Sequence, residues 1–339
     1  MSEKKVVLSI IIPVYNVEAH LEQCIRSILQ SEIHDLEIFL IDDQSTDASG
    51  QLCDFFAQQY DHCYSYHNEK NKGLGATRNI GLNKARGEYI TFIDADDYIN
   101  SEQLNNIVSI LMTNNKTDLF LMNAHKVYNN GIKEPIDQPY ESEKLFNQTR
   151  EEVFSYLALQ KKYPGSACTK IIRREIILEN AIFFQEGVLS EDLEWVVRAL
   201  LFSKTFNSVE GEYYYYRQQR HGSITSSVSE KRLWGIINAI ERSVKDVENE
   251  DAIVRRTIKG FMAYEYLIAL WMYDQIKNNL TRDRESIYKN FFLKNIKLLN
   301  YKRDKKYQII KYILELTGVD FTARILTIIK RGIINVKKK

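Results

Sequence analysis

The chain has 339 residues, of which 44% are hydrophobic, and its 46 basic and 45 acidic residues leave a formal net charge of +1. This length is typical of one large domain or of two. The hydrophobic content is that of an ordinary globular protein, so a sizeable core can form. Because the chain has no overall basic charge, we expect no nucleic-acid partner.

The four cysteines show no paired close spacing and no Cys-x-x-Cys motif. Reduced thiols in a cytosolic protein are therefore the simplest interpretation, and a metal site built from cysteine and histidine is disfavoured. The N-terminus shows no signal-peptide pattern, and no segment offers about 18 uninterrupted apolar residues. We therefore expect neither a signal peptide nor a membrane-spanning helix.

Charge is distributed unevenly along the chain. Residues 1–225 contain 22 basic and 32 acidic residues, whereas residues 226–339 contain 24 basic and 13 acidic ones. This asymmetry predicts two parts, divided between residues 225 and 226, that have different partners.

Four strand-like segments alternate with helix-like segments in the first hundred residues. The strands are predicted at residues 6–14, 36–41, 64–66 and 89–93, and each is followed by apolar residues at helical spacing. Asn16, after the first strand, is a predicted N-cap of the helix that follows. This alternation predicts a doubly wound, mostly parallel α/β sheet.

Acidic residues follow two of these strands. Asp42 and Asp43 end the second, and the sequence Asp94-Ala95-Asp96-Asp97 ends the fourth. Ligands of an open α/β sheet bind at the carboxyl ends of its strands, and carboxylates crowded there suit Mg²⁺ or Mn²⁺ bridging to phosphates. We therefore predict a pocket that collects Tyr15, Asp43, Asp94 and Asp96, while a capped strand end with solvated acids is the alternative for the Asp-x-Asp sequence alone.

A glycine-bearing loop at residues 71–75 leads into a helix that contains Arg78. Lys72, the loop amides and Arg78 suit a phosphate group, although a plain helix N-terminus with a glycine turn is the alternative. The third glycine of the dinucleotide fingerprint is missing, and the loop follows the third strand, which disfavours a Rossmann dehydrogenase.

The next region contains a second helix start with acidic residues. Ser190 is a predicted N-cap, which places Glu191 and Asp192 in the first helical turn; favourable pairing with the helix dipole is the alternative to a functional role. A strand predicted at residues 206–216 ends in four tyrosines, for which packing is favoured over sugar stacking. Arg217, Arg220 and His221 then follow on a polar loop.

The remainder is predicted to be helical, at residues 233–247, 252–276, 286–299 and 307–316. The last segment, residues 324–339, has six basic residues and no acidic one. This combination of apolar and basic residues predicts a membrane-surface helix. The alternatives are a helix that docks on the core and carries a solvated basic tail, and a helix that forms a dimer contact.

Four motifs taken together resemble the family-two inverting glycosyltransferases of bacterial surface-polysaccharide type. They are SIIIPVYN at residues 9–16, IDDQSTD at 41–47, NKGLGATRN at 71–79 and GEYITFIDADD at 87–97. Glu191-Asp192 matches that family's Glu-Asp motif, and the resemblance covers about residues 6–225. It implies a Rossmann-like, A-type glycosyltransferase fold in a catalytic domain at residues 1–225, followed by a basic α-helical C-terminal region at residues 226–339.

The resemblance also implies roles for individual residues. Pro13, Tyr15 and Asp43 are expected to line the nucleobase pocket, and Arg78 to contact a donor phosphate. Asp94 is expected to reach the ribose or a metal-bound water, and Asp96 to bind Mn²⁺ or Mg²⁺. Asp192 is the expected catalytic base, and Glu191 is its neighbour that orients the acceptor or the loop. Arg217, Arg220 or His221 would cover the pyrophosphate.

The implied reaction is inverting, metal-dependent transfer of a hexosyl or N-acetylhexosaminyl group. The donor would be a nucleotide-diphosphate sugar, a UDP-sugar by analogy with the family, and the acceptor a hydroxyl of a glycan or lipid-linked oligosaccharide. The enzyme would be cytoplasmic and peripheral at the inner face of the membrane, and a homodimer is an open alternative. A nucleotidyltransferase that makes a nucleotide-sugar and an inactive glycan-binding homologue are the competing interpretations.

Overall fold

The computed structural model describes residues 6–31, 33, 35–113, 116–218 and 228–337. The chain divides into two compact units. The first comprises the described residues of 1–153, 164–187 and 191–221, and the second those of 154–163, 188–190 and 222–339. The predicted boundary between residues 225 and 226 lies outside the described residues.

The first unit contains all the strands of the described chain, in two sheets. The strands are β1 (Leu8–Val14), β2 (Leu36–Asp42), β3 (Cys63–His67), β4 (Tyr89–Phe92), β5 (Tyr98–Ile99), β6 (Leu119–Leu121), β7 (Ala124–Val127), β8 (Lys133–Pro135), β9 (Lys170–Arg173), β10 (Phe206–Asn207) and β11 (Tyr214–Arg217). The helices that accompany them are α1 (Glu18–Leu29), α2 (Ser49–Gln59), α3 (Leu74–Lys84), α4 (Ser101–Thr113), α6 (Arg174–Glu179) and α7 (Asp192–Phe202), while α5 (Arg150–Leu157) has residues in both units.

The larger sheet has seven strands in the order β10-β6-β9-β4-β1-β2-β3. Its central strands are parallel, and β9 runs antiparallel to both β4 and β6. The predicted mostly parallel α/β fold is therefore confirmed. β1 and β2 are buried at every position, as expected for interior strands covered on both faces.

Helix α3 lies very close to this sheet. A Cβ added at Gly81 would lie 2.4 Å from Ile11 Cγ2 of β1, so only glycine fits between the helix and the strand. This close approach fixes the position of α3, the helix that bears Arg78.

The smaller sheet has four strands in the order β5-β11-β7-β8. β7 and β8 form an antiparallel hairpin, and Gly131 has a φ of +80° at its turn, as the sequence Asn129-Asn130-Gly131 predicts. The continuous strand expected at residues 206–216 was wrong, because β10 pairs with the larger sheet and β11 with the smaller one. Arg217 is consequently the last residue of a strand rather than part of a loop.

Two predicted helix caps were also wrong. Asn16 and Ser190 have φ values of +50° and +64°, whereas an N-cap residue normally has extended backbone angles. α1 therefore begins at Glu18, and α7 begins at Asp192 with Glu191 as its cap residue.

The second unit is helical where it is described. Its long helices are α8 (Glu230–Asp246), α9 (Ala252–Ile276), α10 (Arg282–Asn295) and α11 (Lys305–Lys337). Gly318 breaks α11, since its φ of +79° is not helical. Within the described residues, none of the helices combines the length and apolar character needed to cross a bilayer.

Glu265 of α9 provides a test of burial in this unit. It is 6% exposed, and burial raises the pKa of its carboxyl from 4.5 to about 7. Between pH 4.5 and about pH 7, the Glu265 carboxyl stays protonated in the folded state but is ionised in the unfolded state. The free energy of unfolding therefore falls as the pH rises through this range. We expect Glu265→Gln to be more stable than the wild type by about 2 kcal/mol at pH 8 and nearly equal to it at pH 5.

Urea unfolding at the two pH values measures this difference. Glu248 is an exposed carboxylate of the same unit, and Glu248→Gln is the matched control variant. A pH-independent effect of Glu265→Gln would contradict the prediction.

Candidate active site

The carboxylate of Asp43 holds the glycine-bearing loop. Asp43 follows β2 and is 3% exposed. Its Oδ1 accepts hydrogen bonds of 2.8 Å from the backbone N–H of Lys72 and from Asn68 Nδ2, and its Oδ2 accepts one of 2.8 Å from the N–H of Gly73. Gly73, with a φ of +85°, then starts α3. The loop amides expected to suit a phosphate therefore already donate to Asp43, which sets where α3 begins.

Arg78 of α3 gathers three carboxylates from distant parts of the chain. Its side chain is 1% exposed. Nη2 lies 2.7 Å from Asp94 Oδ1, and Nη1 lies 2.7 Å from Glu191 Oε1 and also contacts Asp192 Oδ1. The Arg78 guanidinium also lies 5.1 Å from the centre of the Phe184 ring. One buried cation thus joins the end of β4 to the start of α7.

Burial and mutual repulsion set the charges in this cluster. Burial raises the pKa of Glu191 to about 7 and also raises that of Asp192, while the Arg78 guanidinium opposes both shifts. Although burial disfavours its charge, the carboxylates of Asp192 and Asp94 hold the pKa of Arg78 above its ordinary value. The side chain of Asp192 remains 20% exposed, so an ionised Asp192 can accept a proton from a bound hydroxyl.

The Asp94–Asp97 turn is held from the smaller sheet. Asp97 is 1% exposed, and its Oδ2 accepts a hydrogen bond of 2.6 Å from the Tyr214 hydroxyl. The Arg217 N–H donates to Asp97 Oδ1 at 2.8 Å, and Arg217 Nε donates to the carbonyl oxygen of Asp96 at 2.9 Å. The same Tyr214 hydroxyl accepts from the Asp94 N–H at 3.2 Å. Strand β11 therefore fixes the turn, and Asp97, whose role the sequence leaves undefined, is one of its anchors.

The carboxylate oxygens of this turn suit a divalent cation that a substrate also helps to bind. Among the residues that the structure describes, no group of three or more His, Cys, Asp or Glu side chains is arranged to hold a metal ion. The side chain of Asp96 is partly exposed, unlike that of Asp97. Hard oxygen ligands suit Mg²⁺, which is often bound by one or two carboxylates together with substrate phosphates.

The structure brings most of the predicted site residues to one edge of the larger sheet. Arg78 is in direct contact with Asp94, Glu191 and Asp192. Pro13 and Tyr15 lie at the end of β1, which pairs in parallel with β2, the strand that precedes Asp43. The phosphate contact expected of Arg78 and the pyrophosphate contact expected of Arg217 stay predictions, since their contacts here are with the protein. Arg220 and His221 lie outside the described residues.

Two residues of this region were not singled out by the sequence. Tyr214 was one of four tyrosines with no distinguishing signal, and its hydroxyl contacts Asp97. Lys170 is 0% exposed at the start of β9, and only its position before the apolar residues Ile171 and Ile172 could have drawn attention to it.

Known proteins share this sequence pattern and fold. The family described as glycosyl transferase family 2 matches residues 9–179. The poly(ribitol-phosphate) beta-N-acetylglucosaminyltransferase TarS of Staphylococcus aureus is 27% identical over 259 residues, which cover 75% of this chain and 43% of that protein. The chain therefore spans less than half the length of this curated relative.

Solved structures show the same fold. The crystal structure of S. aureus TarS 1-349 in complex with UDP-GlcNAc has a TM-score of 0.72 at 20% identity, covering 96% of this chain and 92% of the other. The mannosyltransferase PcManGT from Pyrobaculum calidifontis in complex with GDP-Man and Mn2+ has a TM-score of 0.56 at 12% identity, covering 96% and 87%. With a family match over more than half of its residues and this fold, the chain belongs to glycosyl transferase family 2.

Proposed function

We propose that this chain transfers a sugar from a nucleotide-diphosphate sugar to a hydroxyl of a glycan or lipid-linked oligosaccharide in cell-surface polysaccharide synthesis. The observation that supports this best is the contact of Arg78 with Asp94, Glu191 and Asp192. It gathers the carboxylates needed for such a reaction at one sheet edge, beside the turn that bears Asp96.

The donor would bind across the ends of β1 and β2. Tyr15 is 48% exposed there and offers a ring for a nucleobase, next to the buried Pro13 and Asp43. A uridine diphosphate donor is supported by the relative whose structure holds UDP-GlcNAc. An N-acetylhexosaminyl or hexosyl group is the corresponding sugar.

Asp96 would hold Mn²⁺ or Mg²⁺ together with the donor diphosphate. A bound divalent ion supplies positive charge that stabilises the leaving diphosphate. The relative that binds GDP-Man and Mn2+ supports this assignment. Arg217 holds the Asp96 carbonyl oxygen and so keeps this turn in place for the donor.

Asp192 would act as the base. Its Oδ1 contacts Arg78 and its Oδ2 accepts a 3.1 Å hydrogen bond from the Ala167 N–H, which fixes the carboxylate plane. The partly exposed carboxylate would take the proton of the acceptor hydroxyl as this attacks the anomeric carbon from the face opposite the diphosphate. A single displacement inverts that centre and requires no covalent intermediate. Glu191, beside it, would orient the acceptor.

A nucleotidyltransferase would use similar carboxylates with metal and phosphate. It is distinguished by its product, a nucleotide-sugar formed from a sugar phosphate. An inactive glycan-binding homologue would neither transfer the sugar nor hydrolyse the donor.

Asp192→Asn should strongly reduce transfer and leave donor binding unchanged. The amide cannot accept the hydroxyl proton, and general-base catalysis contributes about 10²–10⁴-fold, so we expect a rate loss of that size. Product formation from UDP-GlcNAc and calorimetric donor binding measure the two effects. Asp61→Asn, at an exposed turn of the same unit, is the matched control, and undiminished turnover by Asp192→Asn would remove Asp192 from this role.

Asp96→Ala should lose metal-dependent donor binding. Calorimetry of UDP-GlcNAc with Mn²⁺ and with a chelator should show tighter binding with metal in the wild type and equal binding in the variant. Asp61→Ala should behave as the wild type. An Asp96→Ala variant that retains the full Mn²⁺ effect would show that another residue holds the ion.

We further propose that α11 binds the inner face of an anionic membrane, where a lipid-linked acceptor would lie. Large apolar side chains on both sides of Gly318 are each at least 52% exposed: Ile309, Tyr312, Leu316, Phe321, Ile328 and Ile329. The first three follow the spacing of one helix face. Lys305, Lys306, Arg324 and Arg331 on the same helix are exposed, and this charge favours anionic lipid.

Vesicle flotation with full-length protein tests this surface. Phe321→Ser combined with Ile328→Ser should weaken binding to vesicles containing phosphatidylglycerol by about tenfold or more, because two apolar side chains no longer enter the bilayer. Met112, 59% exposed on α4, provides the control variant Met112→Ser. Unchanged flotation of the double variant, or a wild type that forms dimers and ignores vesicles, would contradict the proposal.

A further inference from the structure

A lysine is buried beside the proposed base. Lys170 begins β9 and is 0% exposed. Its Nζ donates hydrogen bonds of 3.1 Å to the carbonyl oxygen of Ser166 and of 2.7 Å to Thr169 Oγ1. These are the two ends of a single turn, Ala167–Thr169 with its cap residue Ser166. Lysine is rarely buried without compensation, because its ammonium group loses its hydration.

The same turn holds Asp192. The Ala167 N–H, next to Ser166, donates to Asp192 Oδ2 at 3.1 Å. Lys170 and Asp192 therefore attach to adjacent points of one short turn and act on each other electrostatically. Burial lowers the pKa of Lys170 to about 7, and Asp192 and the thiol of Cys168 oppose this.

Counting the charges of this cluster indicates that a second cation is favourable here. Three carboxylates, those of Asp94, Glu191 and Asp192, contact one guanidinium, that of Arg78. If all three are ionised, the group has an excess of two negative charges. Cys168 Sγ, 3.8 Å from Arg78 Nη2, adds no positive charge. The amine of Lys170 is the second buried cation close to this group.

We propose that Lys170 is a positioning residue for the transfer reaction: its ammonium group fixes the Ser166–Thr169 turn that orients Asp192 and supplies the positive charge that keeps Asp192 ionised. This inference rests on the proposed role of Asp192 as the base. In this proposal Lys170 acts through Asp192 and the turn, not directly on the acceptor or the donor.

The pH dependence of transfer separates this role from a purely structural one. In Lys170→Met the acidic limb of kcat/KM should move to higher pH by about one unit, since a nearby cation lowers the pKa of a carboxylate by that order. Lys170→Arg keeps the charge and should restore the limb. Thr169→Val removes one acceptor of the amine and should shift the limb less, in the same direction. Donor affinity should change by less than about twofold in each variant, which corresponds to about 0.4 kcal/mol of binding, because Lys170 is proposed to act on Asp192 and not on the donor.

A second measurement does not depend on turnover. Carbon-13 NMR of labelled aspartate, assigned with Asp192→Asn, should show the Asp192 carboxyl titrating at higher pH in Lys170→Met than in the wild type. If the wild type fails to transfer sugar, the proposed function fails while this titration still decides the role of Lys170. An unshifted Asp192 titration, or a loss of rate that is equal at all pH values, would overturn the proposal. If Lys170→Met does not fold, Thr169→Val and Lys170→Arg are compared in the same way.

Discussion

The site depends on one buried guanidinium. Arg78 neutralises carboxylates from the end of β4 and from the start of α7, which lie more than ninety residues apart in the chain. Without it, ionised groups would remain buried and unpaired, a situation that costs about 3–5 kcal/mol in typical proteins. The cluster is therefore both the centre of the proposed active site and a condition for folding this edge of the sheet.

The position of Arg78 is determined by elements outside the cluster. Asp43 accepts hydrogen bonds from the loop before α3, and Gly81 lets α3 lie against Ile11 of β1. On the other side, Tyr214 of the smaller sheet holds Asp97 and the Asp94 N–H. Two sheets thus set the two ends of the site. This arrangement agrees with preorganised electrostatics, in which charges are placed before the substrate arrives.

Local patterns in the sequence were sufficient to predict the sheet and the acidic residues at its strand ends. The alternation of strands and helices, and the length of each strand, can be read from residues that are neighbours in the sequence. They were not sufficient to predict which residues form hydrogen bonds with each other or which strands pair. Nothing local indicates that Asp43 accepts from Lys72 and Gly73, or that β9 enters the sheet antiparallel. The left-handed backbone of Asn16 and Ser190 also depends on tertiary context, which is why both predicted caps failed. The burial of Lys170 could not be predicted either, because the sequence does not show that β9 lies inside the sheet, between β6 and β4.

All four cysteines are unpaired and buried. Burial raises the pKa of the thiols of Cys24 and Cys168, the two nearest the site, and only the thiolate reacts readily with oxidants and alkylating reagents. The native thiols consequently react poorly with such reagents while the protein stays folded. A single cysteine introduced on the surface would therefore accept a fluorophore or spin label selectively, which makes the wild-type background suitable for distance measurements without removing any native residue.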